Sequence, residues 1–398
     1  MIPQIDKEIG ISVYTTKLSS VDGKIKQNEN DFSVKEVLSE KAISSFDNPD
    51  GHGVYLLKKS GIDTNHVLFD IEKRYGLVLK SLGLKDAHAQ TEQYVYTHKK
   101  LNSLAEYHGP KYSAQRLGFV KNPISKKDML GNYFEIQISG LTESLPLFTN
   151  DEKILNFFGY QRFGSKRPIT HLIGKSIVKG DYEEALEYLL NFSSKYDSEK
   201  NNILRKLISE RKSESEIIEL LPYSMDIERN LLKQLSKDND PKHAIRSIPL
   251  TLRRFYVQAY QSFLFNKTLS LAYEFEEELF LPITDDVCFD KNSMLGKFEN
   301  EPTQKLAMPL VGHSYYKKSR FDYYIKKILK DELLTPKDFL IKDFQELSIE
   351  GGFRNTSINY SNFEINENIV KFQLSRGSYA TIVLREILKP MNPLDCGF

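Results

Sequence analysis

The stretch "NIVKFQLSRGSYATIVLREILKP", residues 368–390, decides how the chain is organised. Residues that favour strands run to Leu374, a glycine-containing turn follows at 376–378, and an apolar helical pattern continues to Pro390. Because a proline disfavours helical geometry in the residue before it, the helix should end there. The stretch therefore predicts a strand, a turn and a helix, which is α/β character at the end of the chain.

The first third of the chain, residues 1–150, predicts the same mixture of elements. In "NYFEIQIS", residues 132–139, polar and apolar side chains alternate with the period of two that is typical of a strand with one buried face. "DTNHVLFDIEKRY", residues 63–75, begins with residues that cap helices and then places apolar side chains at helical spacing. We therefore expect α/β structure here too.

The middle of the chain has a different pattern. From about Asp181, Leu and Ile recur every three or four residues among dense charges, which predicts a series of surface helices. A further helix is predicted after Pro249, because proline is common at helix starts. Since α/β patterns stand on both sides of these helices, the sequence predicts an α/β (α+β) domain that is split by a helix-rich insertion.

Composition limits the classes of protein that the chain can belong to. At 398 residues it is too long for one ordinary core, so two domains are expected. Apolar residues make up 40% and aromatic residues 12%, which excludes a disordered chain. The 55 basic and 54 acidic residues leave a formal charge of +1, so no overall field attracts polyanions. Any nucleic-acid site must then be a local basic patch.

Cysteines and apolar runs exclude several further classes. Cys288 and Cys396 lie far apart and lack CxxC or CxxH neighbours, so the sequence indicates neither a disulfide framework nor a zinc site. The N-terminal "MIPQIDKEIG" carries acids and no apolar core, and no uncharged apolar run approaches the length of about 18 residues that spans a bilayer. We expect a cytoplasmic, monomeric protein without a membrane segment.

The segment "GLKDAHAQTEQ", residues 83–93, contains an acid of interest, Asp86. A carboxylate can act as nucleophile, general base or metal ligand, and a metal is not expected because only His88 is near as a second ligand. As a nucleophile Asp86 would need a nearby cation to stay ionised. Lys85 is adjacent but would point to the opposite face of a strand. The local pattern by itself favours Asp86 as the cap of a short helix "AHAQ".

A series of segments in a fixed order changes this interpretation. They are "IGI" (9–11), "GKIKQNENDFSVKE" (23–36), "GLKDAHAQTEQ", "GNYFEI" (131–136), "NFFGYQRFG" (156–164), "QAYQSFLFN" (258–266) and "RGSYATIVLREILK" (376–389). The set, from about residue 8 to residue 389, resembles the TruD family of tRNA pseudouridine synthases. The resemblance implies a pseudouridine synthase-type mixed sheet in a catalytic domain that is split by a helix-rich TRUD insertion domain.

The resemblance also implies a reaction and its central residues. The chain would isomerise uridine to pseudouridine in tRNA without a cofactor, and the lack of a glycine-rich phosphate motif agrees with that. Asp86 would be the catalytic nucleophile, which attacks the ribose carbon or triggers loss of a proton from it; both routes stay open. Lys26, in the family's G-x-I-K segment, would pair with Asp86 and hold it ionised. Without the resemblance, Lys26 is typical of a solvated lysine at a strand end.

Asn132 and Phe134 match the family's N-x-F segment. A target base inside folded RNA has to be extruded, and the flipped or vacated base needs a flat apolar surface. The resemblance implies that Phe134 stacks there and that the Asn132 amide recognises a uracil edge. The strand pattern alone places Phe134 in the core. Both roles are compatible if the strand end opens into the cleft.

Four further positions carry weaker expectations. Glu36 orients Lys26 or lies solvated on a strand, and Arg162 contacts an RNA phosphate or braces the junction between the domains. Arg385 is expected in a buried ion pair rather than on RNA. Many family members carry an arginine soon after the N-x-F strand, where this chain has Ser139. One phosphate contact is therefore in doubt.

The partner that the resemblance implies is tRNA, and no protein partner is implied. Two basic stretches are candidates for binding its backbone. Residues 99–127 place Tyr107 and Tyr112 among several lysines, and residues 164–180 begin the inserted block. The first stretch could equally be an ordinary solvated loop.

The predicted domains are a catalytic domain of residues 1–160 and 353–398 and a TRUD insertion domain of residues 161–352. The target that the resemblance implies is uridine 13 of the tRNA D arm. Two other classes of function stay open. A catalytically silent tRNA-binding or RNA-chaperone protein would not need Asp86, and a carboxylate-dependent nucleoside hydrolase would keep Asp86 but release the free base.

Overall fold

The computed structural model describes residues 1–83, 85, 89–98, 104–210, 214–315 and 319–398. The strands in this part of the chain are β1 (Phe32–Leu38), β2 (His52–Lys59), β3 (Leu79–Ser81), β4 (Gln90–Thr97), β5 (Glu106–Gly109), β6 (Tyr112–Val120), β7 (Met129–Gln137), β8 (Val287–Phe289), β9 (Leu295–Lys297), β10 (Lys305–Leu310), β11 (Gly352–Asn355), β12 (Tyr360–Asn366) and β13 (Ile369–Ser375). The helices are α1 (Gln4–Glu8), α2 (Glu40–Ser44), α3 (Thr64–Tyr75), α4 (Thr170–Lys179), α5 (Tyr182–Leu190), α6 (Glu199–Ser209), α7 (Glu214–Leu220), α8 (Asp226–Asp238), α9 (Pro241–Ser247), α10 (Leu250–Glu274), α11 (Asp322–Asp331) and α12 (Ala380–Leu388).

A mixed sheet forms the centre of the fold. Across the described ranges this sheet has nine strands. Eight of them follow the order β12-β13-β7-β1-β4-β2-β6-β5, and the ninth, β3, pairs with β4. β1 and β4 run parallel, and the other neighbours run antiparallel. Strands from before and after the helical segment share this sheet. The predicted α/β fold with a mixed sheet is therefore confirmed.

β7 has the alternation that its sequence predicts. Phe134 and Ile136 are buried, whereas Tyr133 and Glu135 on the opposite face are partly exposed. On that exposed face, Lys371 Nζ of β13 lies 3.6 Å from Glu135 Oε1. The buried face joins the main core together with side chains of β1 and β13. Around Phe134, one face of β7 is thus packed and the other is partly exposed, as the period of two predicts.

α3 also lies where its sequence predicts a helix. Asp63 caps it, because its Oδ1 accepts hydrogen bonds from the backbone N–H groups of Asn65 (2.9 Å) and His66 (3.2 Å). Gly76 ends the helix with a left-handed φ of 67°, which costs least at glycine. The helix buries Val67 against the sheet.

The helical segment begins earlier than predicted. Helices α4 to α10 occupy the described chain between β7 and β8, and α4 starts at Thr170 rather than near Asp181. The prediction relied on apolar residues that recur among dense charges. α4 lacks that pattern, because its side chains are mostly buried against α10. Where the two helices cross, a Cβ at Gly174 would lie 2.0 Å from the Tyr256 carbonyl oxygen, so only glycine fits. α10 follows Pro249, as predicted.

A second sheet, which the sequence did not predict, consists of three strands of the inserted segment and β11, most of which follows the predicted end of the insertion at residue 352. Its strand order is β11-β10-β8-β9, all antiparallel. β8 and β9 have three residues each, which is too short for an alternation to be recognised. Among the described helices, none has the combined length and apolar character needed to cross a bilayer.

The C-terminal strand, turn and helix are confirmed, and so is the ion pair of Arg385. This side chain is fully buried in α12, with Nε 2.6 Å from Asp6 Oδ2 and Nη1 2.9 Å from Glu386 Oε1. The Tyr160 hydroxyl donates to the other oxygen of Asp6 at 2.7 Å. The beginning and end of the chain are therefore joined by a buried charge network.

A buried histidine makes the stability of this fold depend on pH. His171 of α4 packs between the rings of Phe163 and Phe263, and burial lowers its pKa to about 4. In the unfolded chain the pKa returns to about 6.5, so the unfolded state binds more protons below that pH. Stability from neutral His171 is therefore present above pH 6.5 and is lost as the pH falls towards 4.

We expect the free energy of unfolding to fall by about 2 kcal/mol through His171 alone between pH 7 and pH 5. Urea unfolding of the wild type and of His171→Gln at both pH values measures this contribution. Glutamine does not titrate, so the variant should lose less stability on acidification. An identical loss in both proteins would contradict a neutral, buried His171.

Candidate active site

Three polar side chains meet at the end of the apolar face of the large sheet. Glu36 of β1 and Asn132 of β7 are paired in register and point to the same face. Lys85 Nζ lies 3.1 Å from Glu36 Oε1 and donates a hydrogen bond of 2.8 Å to Asn132 Oδ1. The other oxygen of Glu36 accepts the Tyr94 backbone N–H at 2.8 Å. We refer to Glu36, Lys85 and Asn132 as the polar triad.

The polar triad corrects two expectations. Lys85 was expected to point away from the site because of strand geometry, but it lies in neither a strand nor a helix and its side chain turns inward. Of the two roles expected for Glu36, the solvated one is wrong, because its side chain is 0% exposed and pairs with Lys85. A buried carboxylate needs such a cation, since an uncompensated buried charge is strongly destabilising. The orienting of Lys26 by Glu36 stays a prediction.

The backbone around Lys85 is fixed by two further buried side chains. The Lys85 N–H donates to Thr64 Oγ1 at 3.0 Å, and that hydroxyl donates to Gln93 Oε1 at 2.9 Å. The Gln93 amide in turn donates to the Gly83 carbonyl at 3.3 Å. Thr64 begins α3 and Gln93 lies in β4. The segment that precedes Asp86 is therefore held by the helix and the central strand together.

The triad also determines how the Asn132 amide is oriented. A lysine ammonium can only donate hydrogen bonds, so the atom that faces Lys85 must be the amide oxygen. The Nδ2 group of Asn132 then makes no hydrogen bond within the described residues. It can donate to a carbonyl oxygen of a ligand such as a nucleobase.

Asp86 lies outside the described residues, as do residues 87 and 88. Its described neighbours, Lys85 and Ala89, are both largely buried. The predicted pairing of Asp86 with Lys26 stays a prediction. Of the predicted short helix "AHAQ", the last residue, Gln90, instead begins β4.

Lys26 lies beside the aromatic part of the same sheet face. Its ammonium is 4.8 Å from the centroid of the Phe32 ring, at a distance typical of a cation–π contact. Its backbone is left-handed, with a φ of 56°, which is uncommon for a residue with a side chain. Nearby, the backbone of Ser139 exchanges two hydrogen bonds with Lys24. Ser139 therefore serves as part of a short bridge between segments.

Phe134 is packed inside the sheet face. Its ring stacks on Phe372 with centroids 5.5 Å apart and meets Phe32 edge to face at 6.1 Å. Only 7% of the residue is exposed. The packing role that the strand pattern indicates is confirmed, and a stacking role towards RNA stays a prediction.

We expect Phe134→Ala to lower the free energy of unfolding by about 3–5 kcal/mol, because it leaves a cavity between two rings. Urea unfolding measures the loss, and Phe69→Ala is a matched control since Phe69 is 65% exposed in α3 and should change stability by less than about 0.5 kcal/mol. If Phe134→Ala kept its stability and lost only turnover, its main role would be contact with the base.

Arg162 lies apart from the polar triad, in the 3₁₀ turn Tyr160–Arg162. Its Nε donates to Ser262 Oγ at 3.1 Å and its Nη2 to Gln258 Oε1 at 3.2 Å, both on α10. These bonds connect the end of the first part of the sheet domain to the long helix of the insertion. The bracing role is therefore present in the structure.

The first basic stretch corrects another expectation. Much of its described part is not a loop, because it forms the antiparallel strands β5 and β6; residues 121–127 lie outside the strands. Tyr107 and Tyr112 are buried in the core under α3 and cannot stack on bases from there. Lys111, Lys121 and Lys126 are exposed. Any RNA contact by these described residues would come from charges rather than from these rings.

Three residues of the site were missed or undervalued by sequence reasoning. Lys85 and Gln93 belong to the same segment as Asp86, "GLKDAHAQTEQ", and this shared segment could have identified them as site residues. Thr64 gave no signal beyond its position at a helix start. In the part of the chain that the structure describes, no group of three or more His, Cys, Asp and Glu residues could hold a metal ion.

Several known proteins are similar to this chain. Residues 8–387 match the model of the family tRNA pseudouridine synthase D (TruD). A probable tRNA pseudouridine synthase D from Pyrobaculum islandicum is 30% identical over 418 residues, which cover 100% of this chain and 99% of the relative. One from Sulfurisphaera tokodaii is 32% identical over 349 residues, with 85% of each chain covered. A crystal structure from Methanosarcina mazei, described as tRNA pseudouridine synthase D (TruD), has a TM-score of 0.75 and 26% identity, with 99% of both chains covered.

Proposed function

Because the chain belongs to the TruD family of tRNA pseudouridine synthases, we propose that its target is uridine 13 of the tRNA D arm and that Asp86 is its catalytic nucleophile. The broader activity, isomerisation of uridine to pseudouridine in tRNA, is that of the family. The bond between the ribose C1′ and the uracil N1 breaks, and a bond between C1′ and C5 forms. N1 gains a proton and C5 loses one, so no oxidant or co-reactant is needed.

The observation that carries the proposal is the polar triad beside Asp86. Lys85 precedes Asp86 in the chain and is locked to Glu36 and Asn132. The chain is thereby held as far as Lys85, the residue before the proposed nucleophile, and precise placement is what a reaction at a single carbon requires. Asp86 attacks the ribose or triggers loss of a proton from it, and Lys26 holds its carboxylate ionised.

The remaining site residues have proposed roles in holding the base. The free Nδ2 of Asn132 donates to a uracil carbonyl, and Glu36 acts through Lys85 to keep the amide in that orientation. Phe134 supports the flipped base from below by packing under the site. The tRNA lies between a catalytic domain of residues 1–160 and 353–398 and an insertion domain of residues 161–352.

Incubation of unmodified tRNA with the enzyme tests this function. After carbodiimide labelling, primer extension should stop one nucleotide 3′ of position 13, and a tRNA that carries cytidine at position 13 should give no such stop. Stops at other uridines would disprove the proposed target. Release of free uracil would identify a nucleoside hydrolase, and binding without any product would identify a silent RNA-binding protein.

A further inference from the structure

Arginines that this fold buries are usually paired with acids. Arg385 contacts Asp6 and Glu386, and Arg205 contacts Asp197 and Glu228. Arg167, Arg253 and Arg320 are likewise paired with Glu228, Glu346 and the acids Glu277 and Asp286. Such pairing offsets the cost of removing a guanidinium from water.

Arg162 and Arg354 do not follow this pattern. Both guanidinium groups lie near the Phe158 ring, at 5.8 Å and 4.0 Å from its centroid. Among the described residues, neither has a carboxylate within ion-pair distance. Their hydrogen-bond acceptors are neutral: Arg162 donates to a hydroxyl and an amide, and Arg354 donates to the carbonyl and the side chain of Asn156.

The positive charges of Arg162 and Arg354 are destabilising, because both guanidinium groups are largely removed from water without an acid beside them. Burial lowers the pKa of both, to about 10 for Arg354, and the positive charge of Arg162 adds to the effect on Arg354. Two desolvated cations near one ring repel each other unless an anion lies between or beside them. Each also keeps an Nη1 group that makes no hydrogen bond within the described ranges. Both can therefore still donate to an anion.

The position of the pair connects it to the site. Leu374 of β13 is paired in register with Asn132, and the chain then turns through Gly377. A Cβ at Gly377 would lie 3.5 Å from Arg354 Nη1, and the φ of Gly377 is 83°. Glycine therefore permits the turn and leaves this nitrogen without a covering side chain. Gly377 is three residues after Leu374, the residue of β13 that is paired with Asn132.

We propose that Arg162 and Arg354 form a phosphate-binding site for the tRNA backbone next to the target nucleotide, at the junction of the sheet and α10. The proposal rests on the proposed function, because it takes tRNA as the ligand. Guanidinium groups recognise phosphate through paired N–H donors, and the anion would neutralise the two partly buried charges when the substrate is bound. Arg162 then both braces the junction and contacts the ligand.

The test is binding of unmodified tRNA as a function of salt concentration. Arg162→Gln/Arg354→Gln should bind about 10-fold more weakly at physiological salt, and the slope of log affinity against log salt should become shallower by about 1. Arg254→Gln is a matched control, because Arg254 is an exposed arginine on α10, the helix that Arg162 contacts. An unchanged slope in the double variant would overturn the proposal, since a purely structural role would not alter the number of phosphates neutralised.

Two further measurements distinguish a phosphate-binding site for tRNA from a purely structural role and from a site for a free anion. Arg162→Lys/Arg354→Lys keeps both charges, so it should recover most of the salt slope even if the glutamine variant folds poorly. Sodium sulfate should raise the melting temperature of the wild type more than that of the glutamine variant. A sulfate effect without a change in the tRNA slope would mean a site for an adventitious or free anion only, and it would overturn the tRNA assignment. Binding is measured independently of pseudouridine formation, so a failure of the proposed reaction is recognised separately.

Discussion

Asp86→Asn should leave the chain able to bind tRNA but unable to form pseudouridine, with turnover at least about 10³-fold below that of the wild type. An amide has nearly the shape of a carboxylate, but it is a poor nucleophile and a poor base, so neither open route of the reaction can proceed. The affinity for tRNA should change little, because phosphate contacts supply most of it. Tritium release from 5-tritiated uridine in tRNA measures turnover, and filter binding measures affinity.

Asp50→Asn is a suitable control for this experiment. Asp50 is exposed in the turn before β2, and the same substitution there should keep full turnover. If Asp86→Asn retained more than about a tenth of wild-type turnover, Asp86 would not be the nucleophile. If it lost tRNA binding as well, the aspartate would be acting on the fold of the cleft rather than on the reaction.

Lys85→Met should have the second large effect, a fall in turnover of about 10²-fold together with a loss of stability of about 3–5 kcal/mol. The methionine keeps the length and apolar stem of the side chain but removes the ammonium. Glu36 is then left as a buried carboxylate without a cation, and Asn132 loses the donor that fixes its amide. Single-turnover kinetics and urea unfolding measure the two losses.

The double variant Lys85→Met/Glu36→Gln separates the two effects. It removes the unpaired charge, so stability should largely return while turnover stays low, because the Asn132 amide is still free to rotate. Lys80→Met is the control, since Lys80 is exposed on β3 and close in sequence. Recovery of turnover along with stability would show that the polar triad serves the fold alone.

The elements that the sequence predicted correctly are those with a strong local signal. β7 alternates from Tyr133 to Gln137, and α3 has a capping acid, a regular apolar spacing and a terminal glycine. Each of these patterns indicates an element with one buried face. Local backbone preference and tertiary packing then favour the same structure, so the prediction is correct. The ion pair of Arg385 was also predicted correctly, because an arginine among the apolar residues of a helix needs an acid as its partner.

The expectations that failed depend on geometry between distant segments. The orientation of Lys85 was derived from strand alternation, but its backbone is held outside a strand by Thr64 and Gln93. Tyr107 and Tyr112 stand in a basic stretch, yet their rings turn under α3 because the β5–β6 pair has one buried face. Nothing in the sequence indicated that Arg354 belongs to a binding site. Whether an acid lies near an arginine is decided by the folded structure and not by its neighbours in the sequence.

The pairing of β13 with β7 also determines when the site can exist during synthesis. β7 is complete before the helical insertion is made, but its neighbour β13 is made only after the insertion. Until then one edge of β7 has no partner, and the apolar face with Phe134 lacks the cover of Phe372. Contacts so distant in sequence form slowly, and open edges invite pairing with other chains. A nascent or C-terminally truncated chain should therefore depend on chaperones, and the site should assemble last.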